Sequence, residues 1–285
     1  MTRAHETRGE TMTMSVAFPL SVSLHTLDPA QRPETVDLLA GSPVRAVELW
    51  APTFEKGEGA VAEMRRRLAA AGVAPRTVHA AFGAELDLSS PDPAVRDAGI
   101  AAVGAALALA QGVGAEIVVV HPSSEPIADD ARGARMDLAK GSVRTIAAMA
   151  ERAGERIALE WLPRTCLGHS VDELLALVAV AEGDTVGVCL DTNHLMGDFA
   201  ALPEAVRTFG PRLIALHCSD YDGVDEKHWP PGRGVIDWGA FMAALRDVGF
   251  PGPFHYEAGL DGETPAEKLA FLEGNYARLV AGGGG

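Results

Sequence analysis

The sequence contains few cysteines, few aromatic residues and fewer basic than acidic residues. Cys166, Cys189 and Cys218 are an odd number without paired spacing among 285 residues, which excludes a disulfide scaffold and favours a reducing compartment, the cytoplasm. Aromatic residues make up 6% of the chain, and 24 basic against 39 acidic residues give a formal net charge of −15. That charge argues against nucleic-acid binding and against attachment to an anionic membrane.

The sequence also lacks the common nucleotide-binding and nucleophile motifs. It contains no P-loop, no G-x-S-x-G turn and no G-x-G-x-x-G after its first apolar run. Gly112-Val113-Gly114 precedes an apolar run instead, which is typical of a helix end. The apolar segment 99–120 is interrupted there and at Glu116, so it predicts an Ala-rich helix followed by a buried strand, not a membrane span.

The two ends of the chain differ in composition from the rest. Residues 1–14 are polar and mixed in charge without an apolar h-region, and residues 282–285 are four glycines. We therefore expect a disordered leader over 1–14, one domain over 15–281 and a flexible tail over 282–285.

Short apolar runs alternate with longer helical patterns along the whole domain. The predicted strands are 16–24, 44–49, 76–81, 116–121, 156–161, 186–190, 213–218 and 253–256. The predicted helices include 60–71, 93–110, 134–153, 171–181, 238–248 and 265–279. Nearly continuous apolar strands joined by helices indicate a parallel sheet covered on both faces. Eight such units in this length predict a single-domain α/β fold, the (β/α)₈ TIM barrel. An open doubly wound sheet is the alternative, although it usually carries a glycine-rich phosphate turn.

An ionisable residue stands at or near the C-terminal end of every predicted strand. These residues are His25, Glu48, His79, His121, Glu160, Asp191, His217 and Glu257, and His194 follows Asp191 on the next loop. In a barrel these strand ends meet at one face, so the side chains would converge on one cavity. Buried carboxylates that repel one another favour a divalent cation as the group that neutralises them.

The motifs that contain these residues are similar, in order, to those of the xylose isomerase-like TIM-barrel superfamily. The motifs are Val78-His79-Ala80, Val119-Val120-His121-Pro122, Ala158-Leu159-Glu160, Cys189-Leu190-Asp191-Thr192-Asn193-His194, Ala215-Leu216-His217-Cys218-Ser219-Asp220, Pro231-Gly232-Arg233-Gly234-Val235-Ile236-Asp237-Trp238 and His255-Tyr256-Glu257. The resemblance extends from about residue 16 to residue 279. The superfamily includes sugar-phosphate isomerases and epimerases, hydroxypyruvate isomerase, related dehydratases and endonuclease IV.

The resemblance implies a set of roles for these residues. One divalent metal would be held by Glu160, Asp191, His217 and Glu257, with Mn²⁺ or Mg²⁺ favoured and Zn²⁺ or Co²⁺ as alternatives. Glu160 and Glu257 would form the acid–base pair that moves a proton next to a carbonyl through an enediolate. The predicted substrate contacts are His79, His121, His194, His228, Arg233 and Trp161, with Glu48 and His25 as supporting residues.

The resemblance therefore implies a metal-dependent isomerase or epimerase of a small sugar, sugar phosphate or hydroxy-ketone. Three alternatives stay open: a dehydratase on a keto-inositol or dehydroshikimate-like ring, a zinc phosphodiesterase like endonuclease IV, and a sugar-binding barrel without turnover. The endonuclease branch is supported by Glu226-Lys227-His228, where that branch has D-x-H, whereas the acidic charge opposes it. A homodimer is compatible with the exposed helices of a barrel.

Overall fold

The computed structural model describes residues 17–54 and 57–282. The predicted leader 1–14 and the last three residues of the predicted tail lie outside the described residues. In the described part, strands and helices alternate along the chain. The strands are β1 (Leu20–Ser23), β2 (Val44–Trp50), β3 (Ala74–His79), β4 (Ile117–Val120), β5 (Arg156–Glu160), β6 (Val186–Asp191), β7 (Leu213–His217) and β8 (Phe254–Tyr256). The helices are α1 (Leu24–Leu27), α2 (Glu58–Ala71), α3 (Pro93–Val113), α4 (Arg132–Ala153), α5 (Val171–Val178), α6 (Leu202–Phe209), α7 (Trp238–Asp247) and α8 (Pro265–Val280).

The eight strands form one parallel sheet that curves into a nearly closed barrel. Their order is β7-β6-β5-β4-β3-β2-β1-β8, so each neighbour in the sheet is also a neighbour in sequence, except that β1 also pairs with β8. A parallel bridge between Cys218 and Tyr256, just past the end of β7, brings β7 beside β8. This arrangement confirms the predicted TIM barrel and differs from the doubly wound alternative, whose strand order reverses at a switch point.

The sequence predicted the start of the helix over 93–110 correctly, but the helix ends three residues later than predicted. Asp92 caps the first turn of α3 by accepting a hydrogen bond from Ala94 N at 2.9 Å, and Pro93 occupies the first helical position. The helix continues to Val113 and ends at Gly114, whose φ of +87° is left-handed. Gly112 lies inside the helix. A Cβ at this position would lie 2.5 Å from Val61 Cγ1, so the glycine permits close contact with α2.

By its length and composition alone, helix α3 could cross a membrane, and 28% of its apolar 18-residue stretch is buried. Its buried residues include Gly99, Val103, Ala106 and Ala110, which recur at three- and four-residue intervals on one face. The helix contacts β3 and β4 and lies between α2 and α4. These contacts are those of an outer helix of the barrel, in agreement with the prediction of an Ala-rich helix that precedes a buried strand.

The sequence analysis did not identify α6, the helix that follows β6. Leu202, Ala205, Val206 and Phe209 are buried at amphipathic spacing, but the helix has only eight residues. It continues from a 3-10 segment, Met196–Ala201, so its beginning carries no side-chain cap. The region after β1 is also irregular, with the four-residue α1 and a 3-10 segment, Pro33–Leu39, in place of a long helix.

Candidate active site

A cavity of about 440 Å³ opens at the carboxyl ends of the strands. Eight of the residues predicted from the sequence line it: His25, His79, His121, Glu160, Asp191, His194, His228 and Glu257. The volume is that of a small-molecule site, within the usual range for ligand pockets.

Alternation along the strands explains why these side chains converge. Ala158, Cys189 and Ala215 belong to a small apolar cluster that also includes residues of β4 and β7. Glu160, Asp191 and His217 each follow one of these residues by two positions, and side chains two positions apart on a strand point to the same face. The apolar cluster is therefore the floor of the barrel interior, and the ionisable side chains form the next layer towards the cavity.

Glu160, Asp191, His217 and Glu257 surround one point. One ligand atom from each lies within 4.8 Å of the others. His217 Nδ1 is 2.8 Å from Glu257 Oε2 and 3.4 Å from Glu160 Oε1. All are buried except Glu257, whose side chain is 23% exposed towards the cavity.

Two of these residues present buried polar atoms that have no hydrogen-bond partner. They are Asp191 Oδ2 and His217 Nδ1, because the 2.8 Å approach of Nδ1 to Glu257 Oε2 is not aligned as a hydrogen bond. The other oxygen of Asp191, Oδ1, accepts a hydrogen bond from Asn193 N at 2.7 Å, so the carboxylate is held while Oδ2 is left for a ligand. Unpartnered buried polar atoms are costly, and a divalent cation with carboxylate and imidazole ligands would satisfy both. The donor set therefore fits the metal that the sequence analysis predicted.

The pKa values of the carboxyl groups in this centre move in opposite directions. Burial raises the pKa of Asp191 to about 6, and the charges of Glu160 and Glu257 act in the same direction, against His194 and His228. Burial also opposes ionisation of Glu160, but the charges of the nearby His121 and His217 outweigh it and hold its pKa well below the ordinary value.

Glu160 also contacts two histidines from the preceding strands. His79 Nε2 and His121 Nε2 each lie 3.0 Å from Glu160 Oε2. The Phe82 ring stacks on His121 with a centroid distance of 3.7 Å, although 47% of Phe82 is exposed. Phe82 and Trp50, whose rings meet edge to face, form an aromatic wall on this side of the cavity.

A second histidine group lies on the opposite side, on the loops after β6 and β7. His194, Glu226 and His228 present ligand atoms within 4.8 Å of one another. His194 Nδ1 is 2.7 Å from the Trp161 carbonyl oxygen, which must accept from it, so Nε2 is the ring nitrogen left for a ligand. Arg164 Nη1 is 2.8 Å from Glu226 Oε1.

Two predicted substrate contacts, Trp161 and Arg233, and the predicted supporting residue Glu48 do not line the cavity. Glu48 is buried beneath it, where its Oε2 lies 3.1 Å from His217 Nε2. The Trp161 ring packs edge to face on Phe209, because the side chain next to the inward Glu160 points to the outer side of the strand. Arg233 forms an ion pair with Asp261 at 2.6 Å, which holds its guanidinium outside the cavity lining.

The sequence analysis did not identify the polar residues that the loop after β4 contributes. Ser123, Ser124 and Glu125 line the cavity. Glu125 binds the Arg164 guanidinium, with Oε1 2.7 Å from Nη2. The signal was the Ser-Ser-Glu run directly after His121-Pro122, but loop direction cannot be obtained from strand alternation.

Comparisons with known proteins agree with this architecture. A family model described as "Xylose isomerase-like TIM barrel" matches residues 36–274. The ketose 3-epimerase of Arthrobacter globiformis is 27% identical over 200 residues, which cover 68% of this chain and 67% of that protein. The inosose isomerase of Bacillus subtilis (strain 168) is 25% identical over 135 residues, or 44% of this chain; the match spans about half of that protein, 49%. The fold is similar to a solved structure of D-psicose 3-epimerase with D-tagatose from Clostridium cellulolyticum H10, with a TM-score of 0.75, 23% identity, and coverage of 93% of this chain and 98% of that one.

Proposed function

The chain belongs to the xylose isomerase-like TIM barrel family, and on that premise we propose that it is a divalent-metal-dependent isomerase or epimerase of a small sugar or related hydroxy-ketone. The observation that carries the proposal is the position of Glu160 and Glu257. Both carboxylates lie beside His217 Nδ1, and both line the same cavity. The similarity to a ketose 3-epimerase and an inosose isomerase supports this reaction class.

The proposed metal ligands are Glu160, Asp191, His217 and Glu257. Three carboxylates and one imidazole favour Mn²⁺ or Mg²⁺, and Zn²⁺ or Co²⁺ are the alternatives. When bound, the cation would supply positive charge that stabilises the oxyanion formed as a proton leaves the carbon next to a carbonyl. The unpartnered Asp191 Oδ2 and His217 Nδ1 support this ligand set.

Glu160 and Glu257 are the proposed acid–base pair. One carboxylate takes the proton from the substrate carbon, and the other returns a proton. Return to the opposite face of the same carbon inverts that centre, and return to the neighbouring carbon isomerises the sugar. Of the two side chains, Glu257 is the more exposed to the cavity, whereas Glu160 is held by His79 and His121.

The remaining residues of the cavity are suited to a polyhydroxylated ligand. His194 Nε2, free of the Trp161 carbonyl, is a proposed contact for a hydroxyl or carbonyl oxygen. Trp50 and Phe82 present an aromatic surface on which the C–H face of a sugar can pack. His25 and His228 lie in the same lining and are proposed as further contacts.

Exchange of a substrate C–H with D₂O tests the proposal. A panel of free ketoses and inosose is incubated with Mn²⁺-loaded protein, and deuterium incorporation is followed by mass spectrometry. We expect incorporation by the wild type and loss of it in Glu257→Gln. Glu263→Gln, which changes an exposed glutamate six residues later, is the control that should keep the wild-type rate. Exchange by Glu257→Gln at the wild-type rate would contradict the assigned role. A product lighter than its substrate by one water would identify the dehydratase alternative.

The additional histidine groups give specific support to one second candidate, a multinuclear metal phosphodiesterase. His79, His121 and Glu160 form one potential ligand group, and His194, Glu226 and His228 form another. The ion pair between Arg164 and Glu226 opposes cation binding in the latter. Among the described residues that line the cavity, Arg164 is the one lysine or arginine, and it is bound by Glu125, so the mouth offers little to a phosphate backbone. Three metal ions per chain together with nicking of an abasic duplex would favour this candidate.

A further inference from the structure

A buried glutamate lies below the proposed metal ligands, inside the barrel. Glu48 is 1% exposed and is not part of the cavity lining, so it does not contact a ligand in the cavity. Its Oε2 accepts a hydrogen bond from Thr77 Oγ1 at 2.8 Å and lies 3.1 Å from His217 Nε2. Its Oε1 is 3.7 Å from His255 Nε2, and His255 Nδ1 is in turn 2.8 Å from Ser21 Oγ.

His217 uses its two ring nitrogens on opposite sides. Nδ1 faces Glu160 and Glu257 at the proposed metal centre, whereas Nε2 faces Glu48. An ionised carboxylate can only accept hydrogen bonds, so Nε2 must carry the proton in this pair. With a cation at the metal centre, the ring would be neutral and its lone pair would be on Nδ1, the nitrogen that faces Glu160 and Glu257.

We propose that Glu48 is a positioning residue, which fixes the tautomer and the ring orientation of His217 so that Nδ1 is directed at the cation. The inference rests on the metal centre of the proposed function but not on the reaction class. Thr77 holds the same Glu48 oxygen that meets His217, so the carboxylate is anchored by a second strand. Carboxylate–histidine–metal arrangements raise the basicity of the ligand, and removal of the outer partner typically costs 10–100-fold in metal affinity.

A second arrangement of the same atoms would give a different outcome. Glu48, His217 and His255 also present ligand atoms within 4.8 Å of one another. A cation there would take His217 Nε2 as its ligand and remove the proton from that nitrogen. The hydrogen bond from Thr77 to Glu48 Oε2 favours our proposal, because it engages the carboxylate oxygen that also meets His217 Nε2.

Mn²⁺ affinity of Glu48→Gln is the first test. The full-length protein is freed of metal by a chelator, and free Mn²⁺ is followed by electron paramagnetic resonance during titration. We expect Glu48→Gln to bind Mn²⁺ about 10–100-fold more weakly than the wild type, which is the usual effect of removing an outer partner, and at least about fivefold more weakly. The control is Glu204→Gln, which removes an equal charge from a glutamate whose side chain is 77% exposed on α6, and it should bind as the wild type does. A loss of less than fivefold in Glu48→Gln would overturn the proposal.

The second test measures the tautomer of His217 in the wild-type protein, so it does not depend on the folding of a variant. Wild-type protein labelled with ¹⁵N-histidine and loaded with Zn²⁺ is examined by long-range ¹H–¹⁵N correlation. We expect a proton on His217 Nε2 and a metal-shifted Nδ1. An unprotonated or metal-shifted Nε2 would overturn the proposal. A wild type that binds neither Mn²⁺ nor Zn²⁺ would overturn both proposals, whereas metal binding without isomerase activity would overturn only the proposed function.

Discussion

The side chain of Asp220 holds the loop between β7 and α7 through hydrogen bonds. Replacement of Asp220 by asparagine tests how much these hydrogen bonds stabilise the protein. The Asp220 side chain is fully buried and accepts four hydrogen bonds. Oδ1 accepts from Tyr221 N at 3.0 Å and Ile236 N at 3.3 Å, and Oδ2 accepts from Gly232 N and Trp238 Nε1 at 2.9 Å each. The loop carries Glu226 and His228, two residues that line the cavity.

The expected cost of Asp220→Asn follows from the number of donors. The asparagine amide has one oxygen, so its NH₂ group must face one of the two donor pairs whichever way it is turned. The less costly orientation turns the NH₂ group towards Gly232 N and Trp238 Nε1, because Gly232 is exposed and its N–H can bind water instead. The buried Trp238 Nε1–H then loses its acceptor, so the free energy of unfolding should fall by about 1–3 kcal/mol. Urea unfolding measures this change, and hydrogen exchange should show lower protection of the Gly232 amide, which shares Oδ2 with Trp238 Nε1.

Asp237→Asn is the matched control. Asp237 is exposed and caps α7 by accepting from Ala240 N at 2.9 Å. Asparagine is as good an N-cap as aspartate, so the same substitution should change stability by less than about 0.5 kcal/mol. If Asp220→Asn also changes the free energy of unfolding by less than about 1 kcal/mol, the buried carboxylate does not hold the loop and the reasoning is wrong.

Three further predictions follow from the site and its surroundings. Added Mn²⁺ should raise the melting temperature more at about pH 7 than at about pH 5. The reason is that protons compete with the metal for Asp191, whose pKa in the metal-free fold is raised from 3.8 to about 6. An equal rise in melting temperature at both pH values would contradict this. Burial raises the pKa of Cys166 to about 12, so iodoacetamide should label this thiol at about pH 8 far more slowly in the native than in the unfolded protein. Mass spectrometry measures the labelling, and equal rates in the two states would show that the thiol is accessible. Phe82→Ala should raise KM by weakening the aromatic wall. The free energy of unfolding should fall by only about 1 kcal/mol, because the residue is 47% exposed and only about half of the ring is buried. An unchanged KM would remove Phe82 from the ligand contacts.

The assembly and the cellular location remain predictions from the sequence. Light scattering of the purified protein will distinguish a monomer from the predicted homodimer. Three cysteines without paired spacing favour the cytoplasm, where thiols stay reduced.

The sequence predicted the barrel correctly because the alternation of strands and helices depends on short-range periodicity, and the same periodicity places the proposed ligands on one face. A strand alternates between two faces, so Glu160, Asp191 and His217 had to share a face with the small residues two positions earlier. Trp161 follows Glu160 by one position, and the same rule places its ring on the outer side, although the sequence analysis predicted it as a ligand contact. The missed helix α6 is short and uncapped, and its amphipathic spacing was too brief to distinguish it from a loop.

By itself, the sequence determined the eight strands, six of the helices that follow them and the ionisable residues at the strand ends. The tertiary structure alone decided which of these residues meet the cavity and which support it. Glu48 contacts His217 from 169 residues away, and Arg233 is held by Asp261 outside the cavity. Arg164 joins the loops after β4 and β7 through Glu125 and Glu226. The physical reason is that the direction of a loop or of a long charged side chain is set by partners distant in sequence, which no local pattern records.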